Sequence, residues 1–266
     1  MPEILKIIEC PRDAMQGMHD FVPTDLKIEY INKLLEVGFD TIDFGSFVSP
    51  KAIPQMRDTA EVLAGLNKSS TKLLAIIANV RGAEDAVKHQ AITYLGYPFS
   101  ISETFQKRNT NATIQESLVN LNTIQQLTHN SGKKLVVYIS MGFGNPYGDE
   151  WNVDYAARWI DKIQAMGIET ISLADTVGVA KEADISYLFN EVIRKFPKVE
   201  FGAHLHTTPG NWLSKLAAAY DAGCRRFDTA IRGFGGCPMA TDKLTGNLAT
   251  ENAVQYLLGK NKNLTI

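Results

Sequence analysis

Along this chain the hydrophobic period switches eight times from a short apolar run to a helical pattern and back, which leaves few folds open. Residues 4–10, 41–46, 72–79, 91–100, 134–141, 170–175, 199–206 and 226–231 read as strands. Helical patterns lie between them near 24–37, 54–66, 82–89, 113–130, 153–166, 183–196 and 211–222, and another covers 251–258 after the last strand. Pro23-Thr24 supplies capping chemistry at one helix start, and Gly38, Gly167 and Gly223 stand where helices end. Eight strands alternating with helices close most naturally as a parallel (βα)₈ TIM barrel, with functional groups where strands end and βα loops begin. An open doubly wound sheet is the competing arrangement, but no Gly-x-Gly-x-x-Gly follows the first strand. No Pro/Gly/Ser-rich linker divides the chain, so residues 1–266 are expected to form a single barrel domain.

Charge and apolar length exclude two classes of partner. Lys and Arg number 27 against 29 Asp and Glu, and a net charge of −2 offers no field for a nucleic-acid backbone. Residues 1–6 lack a charged head followed by a long apolar stretch, and nowhere do 18 apolar residues run together, so a cytoplasmic protein without membrane association is expected. Cys10, Cys224 and Cys237 are too few and too scattered for a disulfide framework, which also suits a reducing compartment. Cys10 and Cys224 read as small buried hydrophobes.

A barrel gathers polar residues from distant segments onto one rim. Arg12 and Asp13 follow the first strand, Asp43 lies in the second, Asp175 ends the sixth, and His204 and His206 end the seventh. Histidines at i and i+2 on a strand project to one face, roughly 6–7 Å apart, and with the Asp13 carboxylate they would make a two-histidine, one-carboxylate metal site. A hydrogen-bonded histidine pair without metal is the alternative that spacing alone leaves open. After the eighth strand comes Gly233-Phe234-Gly235-Gly236-Cys237-Pro238, a glycine-rich loop around a cysteine, followed by Gly246-Asn247-Leu248-Ala249-Thr250-Glu251, which reads as the opening of the last helix.

At these residues the chain resembles the 3-hydroxy-3-methylglutaryl-CoA lyases, a branch of the metal-dependent (βα)₈ enzymes that includes isopropylmalate and homocitrate synthases. The resemblance runs over nearly the whole length. It is carried by Pro11-Arg12-Asp13, Ser46-Phe47-Val48-Ser49-Pro50-Lys51 with Pro54-Gln55-Met56, Ala174-Asp175-Thr176-Val177-Gly178, His204-Leu205-His206, Gly235-Gly236-Cys237-Pro238 and Gly246–Glu251. It implies a divalent-metal lyase that cleaves an acyl-CoA to acetyl-CoA and acetoacetate, with Asp13, His204, His206 and the amide oxygen of Asn247 holding the cation. An open site of imidazole and oxygen donors suits Mg²⁺ or Mn²⁺. In such a site His204 or Asp13 would take the hydroxyl proton, Arg12 would stabilise the enolate, and Cys237 would protonate its carbon. Asp43 would support Arg12, and Asp175 is open between a chemical role and a bond to loop amides. Lys51 and Arg108 are candidates for CoA phosphates or plain surface cations. A homo-oligomer, most simply a dimer, is expected.

The chain also departs from the family pattern. Asp43 stands where the family has Glu, setting the carboxylate back by one methylene. Thr207 replaces an acid after the second histidine, removing a candidate orienter for the imidazoles. Ala14 replaces a glycine, and the stretch from Cys237 to Asn247 is one residue longer. Two other functions remain open on the sequence. One is a condensing acyltransferase of the isopropylmalate type, against which Cys237 argues, and the other is a non-catalytic acyl-CoA-binding barrel.

Overall fold

The computed structural model describes residues 4–236, 246–260 and 264–265. Eight strands form the ring: β1 (Leu5–Glu9), β2 (Thr41–Ser46), β3 (Lys72–Ile76), β4 (Ile92–Ser100), β5 (Lys134–Ser140), β6 (Thr170–Asp175), β7 (Glu200–Thr207) and β8 (Arg226–Thr229). Each pairs in parallel with the next, and β1 also pairs with β8, Lys6 opposite Arg226 and Glu9 opposite Thr229, so the sheet closes. The expected single-domain TIM barrel is what the chain forms.

Between and after the strands run α1 (Pro11–Gln16), α2 (Thr24–Val37), α3 (Thr59–Ala64), α4 (Val80–Ala86), α5 (Glu103–Thr110), α6 (Ile114–Asn130), α7 (Val153–Gln164), α8 (Glu182–Lys195), α9 (Trp212–Asp221) and α10 (Thr250–Lys260). The longer ones form because one stripe is apolar. On α8 Ile185, Leu188, Phe189 and Val192 recur at i, i+3, i+4 and i+7 and are all buried. They join outward-facing strand residues such as Ile7, Ile171, Ala203 and Phe227 in the main core between barrel and helices. Leu74, Tyr94, Val136 and Tyr138 pack separately inside the ring. No helix among the described residues is long and apolar enough to cross a membrane.

Where structure and sequence expectation differ, the causes are local. The helix expected over 54–66 is divided: a 3-10 turn at Pro54–Met56 precedes α3, because the Asp58 carboxylate turns back to accept from Thr24 Oγ1 (2.9 Å) and Lys27 Nζ (2.7 Å). That bond also removes Thr24 from its expected capping duty, and α2 starts without a side-chain cap. Gly38, Gly167 and Gly223 do end their helices, each with positive φ (88°, 80° and 96°). Gly246–Asn247 is a short strand, β9, antiparallel to the end of β7, and helix begins only at Thr250. A last short strand, β10 (Leu264–Thr265), lies beside β1.

Glu9, at the end of β1, ties the β8 side of the rim together. Its carboxylate accepts from Ile231 N (2.9 Å), Thr250 Oγ1 (2.5 Å) and Thr229 Oγ1 (3.4 Å). Burial nevertheless pushes its pKa up, against those hydrogen bonds, from 4.5 to about 7. A carboxyl raised on folding stabilises the fold while protonated, and that contribution disappears as pH rises from the unfolded value through the folded one. Wild-type stability should therefore fall between about pH 4.5 and about pH 7 by up to ~3 kcal/mol from this group. Urea titrations should show that component missing in Glu9→Gln, and an unchanged slope in the variant would refute it.

Candidate active site

Pro11 starts α1 directly after β1, and this single turn decides where the next two side chains go. Arg12 and Asp13 lie on it, buried at the mouth of the ring. The opposite wall is the end of β7, where His204 and His206 share a face with ring centroids 5.3 Å apart. Donor atoms of Asp13, His204 and His206 all lie within 4.8 Å of one another. The convergence expected of these three residues is present.

Their surroundings suit a cation. Asp13 Oδ1 accepts from Arg12 Nη1 (2.8 Å) and Gln16 Nε2 (2.8 Å). Burial would raise the Asp13 pKa, but the Arg12 guanidinium and the two imidazoles outweigh it and hold the group at about 2, so it is an anion. His206 goes the other way: burial and the neighbouring His204 lower it to about 4, leaving a neutral ring with a basic lone pair. Its Nε2 is buried without a hydrogen-bond partner, an expensive condition unless something else occupies that lone pair. A carboxylate and two imidazoles, one with an orphaned nitrogen, fit a divalent metal.

Asn247 reaches the cluster because β9 places it opposite His206. It does not present the expected oxygen: Nδ2 donates to Asp13 Oδ2 (2.7 Å) and to Phe234 O (2.9 Å), and two acceptors in front of the amide select its nitrogen. In this arrangement Asn247 steadies the Asp13 carboxylate. Gly235 lies against the same corner. At Gly235, with φ of 101°, a Cβ would stand 2.6 Å from Asp13 O, so only glycine can pass so close. Cys237 lies outside the described residues.

Asp43 does reach Arg12 despite its shorter side chain. Arg12 Nε donates to both carboxylate oxygens (3.2 and 3.0 Å) and Nη2 to Oδ2 (2.5 Å). Burial pushes Asp43 up to about 6 against the pull of Arg12. A register irregularity in β2 between Asp43 and Gly45 breaks strict alternation there, so Asp43 and Ser46 both serve the interior.

Of the two roles open to Asp175, the structure shows the bond to a loop amide and not the chemical one. Ala174 and Thr176 line the cavity, so Asp175 between them faces the helix layer. There Oδ1 accepts from Ala180 N (3.0 Å) and Oδ2 from Lys215 Nζ (2.6 Å), while Lys215 also donates to His206 O (3.1 Å). The residue braces the βα loop and does not line the cavity. Glu251 likewise accepts from Arg232 N and serves the turn before the last helix.

Arg12, Asp13, His204 and His206 line a cavity of about 220 Å³ whose remaining wall includes Ser46, Ile53, Phe105 and Tyr138. A second hollow of about 560 Å³ shares Ser46 and Val48 with it and is bordered by Lys51, Arg57 and Arg81. Arg108 is stacked over Tyr147, 4.7 Å from the ring centroid. Three contributors escaped the sequence reading: α5, which brings Phe105 and Asn109; Lys215; and Asp228 of β8, which lies 3.1 Å from His204 Nδ1. A Ser102 cap announces α5 in the sequence, and an acid inside the apolar run 226–231 announces Asp228.

The model of the HMGL-like family matches residues 5–264. Among curated proteins, bovine mitochondrial hydroxymethylglutaryl-CoA lyase is 35% identical over 262 residues, covering 97% of this chain and 79% of the relative. The rat cytoplasmic 3-hydroxy-3-methylglutaryl-CoA lyase is 33% identical over 265 residues, covering 99% and 77%. These relatives occupy two compartments, so the likeness does not select one. A solved HMG-CoA lyase from Acinetobacter baumannii, in complex with coenzyme A and 3-methylmalate, superposes with a TM-score of 0.91 at 33% identity, covering 99% of this chain and 86% of that one.

Proposed function

The chain belongs to the HMGL-like family, and on that premise we propose that it is a divalent-metal-dependent lyase cleaving 3-hydroxy-3-methylglutaryl-CoA, or a close acyl-CoA, to acetyl-CoA and acetoacetate. The observation that carries this reading is the meeting of Asp13, His204 and His206 with Arg12 on the wall of one cavity.

Asp13, His204 and His206 would hold the cation, Mg²⁺ or Mn²⁺, with Asn247 against the Asp13 carboxylate. When bound, it supplies Lewis acidity that lowers the pKa of the substrate's tertiary hydroxyl. Asp13, held near 2, is too weak a base to keep a proton at neutral pH and acts through its charge. His204 is the stronger base: with Nδ1 engaged by Asp228, its one lone pair, on Nε2, can hold the cation or take the hydroxyl proton but not both, so when it takes the proton the cation would rest on Asp13 and His206. Loss of that proton lets the electron pair form the ketone of acetoacetate as the carbon–carbon bond breaks. The bonding pair moves onto the thioester fragment as an enolate, and Arg12 meets the charge on its oxygen. Cys237, by the family resemblance, would give the enolate carbon its proton. Lys51, Arg57 and Arg81 around the adjoining hollow suit the phosphates of a CoA tail.

The deciding measurement is acetoacetate release from a panel of 3-hydroxyacyl-CoA thioesters, with Mn²⁺ and with chelator. Metal-dependent release from the 3-hydroxy-3-methylglutaryl thioester is expected, and no release from any branched thioester would refute the reading. Cys237→Ser should keep Mn²⁺ affinity and KM while kcat falls at least about tenfold, since a hydroxyl is a far weaker acid than a thiol of pKa ~8.5. Wild-type kcat in that variant would remove the thiol from the reaction.

A further inference from the structure

Thr207 stands where an acid would orient the histidines from the β7 side, yet His204 is not left without a carboxylate. The barrel supplies one from the neighbouring strand. In the β7–β8 register His204 lies opposite Asp228, and both side chains point into the ring. Asp228 Oδ2 is 3.1 Å from His204 Nδ1 and also accepts from Ser172 Oγ of β6 at 3.4 Å. Tyr138 meets the His204 ring edge-on at 5.9 Å from another side, so side chains of β5 and β8 flank the imidazole while Ser172 of β6 steadies Asp228.

One layer below, two residues earlier on the same face of β8, sits Arg226, fully buried, with its bend crossing Gly202 at a distance that leaves no room for a Cβ without adjustment. None of its nitrogens has a hydrogen-bond partner, and its closest acidic contact, Glu200, is 3.8 Å away. Asp228 Oδ1, on the carboxylate just above, is likewise buried and unpartnered. A buried guanidinium under a buried carboxylate is charge-complementary, and it directs the negative end of the stack toward His204.

We infer that Asp228 is a positioning residue that fixes the Nδ1–H tautomer of His204 and so keeps the Nε2 lone pair aimed into the cavity. A carboxylate can only accept, so the shared hydrogen must sit on Nδ1, and Nε2 is left basic and turned away from β8. Carboxylates behind metal-binding histidines act in this way, setting both ring orientation and basicity. Here the brace comes from the adjacent strand, which frees position 207 to carry Thr; its hydroxyl donates instead to Asn247 O at 3.3 Å and holds β9.

The inference builds on the lyase reading above, but its first measurement is independent of it. Long-range ¹H–¹⁵N correlation on metal-free, histidine-labelled protein should show His204 as a single Nδ1–H tautomer. In Asp228→Ala the ring should move to the Nε2–H form or average between the two. Mn²⁺ affinity, from equilibrium binding, should fall by about 10–100-fold in that variant. Asp228→Asn keeps the volume and should fold if Ala does not; it should lose part of the same affinity, whereas a purely structural role would lower Tm and leave tautomer and affinity alone. An unchanged Nδ1–H signal in Asp228→Ala, or Mn²⁺ affinity within twofold of wild type in either variant, would overturn the assignment. Failure of the wild-type protein itself to bind Mn²⁺ would count against the lyase reading, with the tautomer result still standing.

Discussion

His206→Ala should abolish turnover and weaken Mn²⁺ binding by about 10²-fold or more without unfolding the protein, because this imidazole is the cluster member with least structural duty. Its Nε2 is buried with no partner, a condition that costs about 1–3 kcal/mol in the metal-free fold. Removing the ring removes that cost along with some packing, so metal-free Tm should change little. Wild type should gain stability with Mn²⁺, about 2.7 kcal/mol at a hundredfold excess over Kd, and the variant should gain almost none. With a pKa near 4 the ring is neutral at pH 7, so loss of a charge does not explain the effect. Equal Mn²⁺-dependent Tm gains in the two proteins would show that His206 is not a ligand. Asp13→Asn should behave similarly but with a larger metal-free penalty, since its carboxylate also anchors Arg12, Gln16 and Asn247.

The barrel could be read from the chain because its strands are buried on both faces and each is followed by an amphipathic helix. That contrast survives without knowledge of any contact. The two missed helices, α1 and α5, are short and bury little apolar surface, and α5 keeps only Phe105 and Gln106 inside. Asp13, His204 and His206 were legible for a topological reason: in a closed parallel barrel every strand ends on one rim, so residues far apart in sequence must meet. Side-chain parity was less secure. Asp175 stands at the correct end of its strand yet faces outward, and Asp43 faces inward across a register irregularity that no residue pattern announces. Asp228 becomes meaningful only when β7 and β8 are in register, which is a property of pairing and not of either strand alone.

Arg12→Lys should lower kcat by about 10²–10³-fold while Mn²⁺ affinity shifts by no more than about tenfold, the range for losing one donor to a developing oxyanion and for disturbing a ligand's neighbour. Charge is retained, so the loss is one of geometry. Of the five N–H groups of a guanidinium, Nε and one on Nη2 serve Asp43, and the two on Nη1 serve Asp13 and Gln16. One hydrogen on Nη2 is left for substrate, in a residue that lines the cavity. A lysine ammonium has three donors at a single point and cannot span Asp43, Asp13 and an enolate oxygen together. The interaction strengthens as charge develops, so the loss should appear in kcat more than in KM. Asp43→Asn should give a milder version of the same defect, at least about tenfold in kcat, because it weakens the brace while the guanidinium remains. Replacing Arg12 by an apolar residue is the poorer test, since an uncompensated Asp43 in the interior would cost about 3–5 kcal/mol of stability. Wild-type kcat in Arg12→Lys would exclude oxyanion stabilisation by Arg12 and limit the residue to holding Asp13 and Asp43 in place.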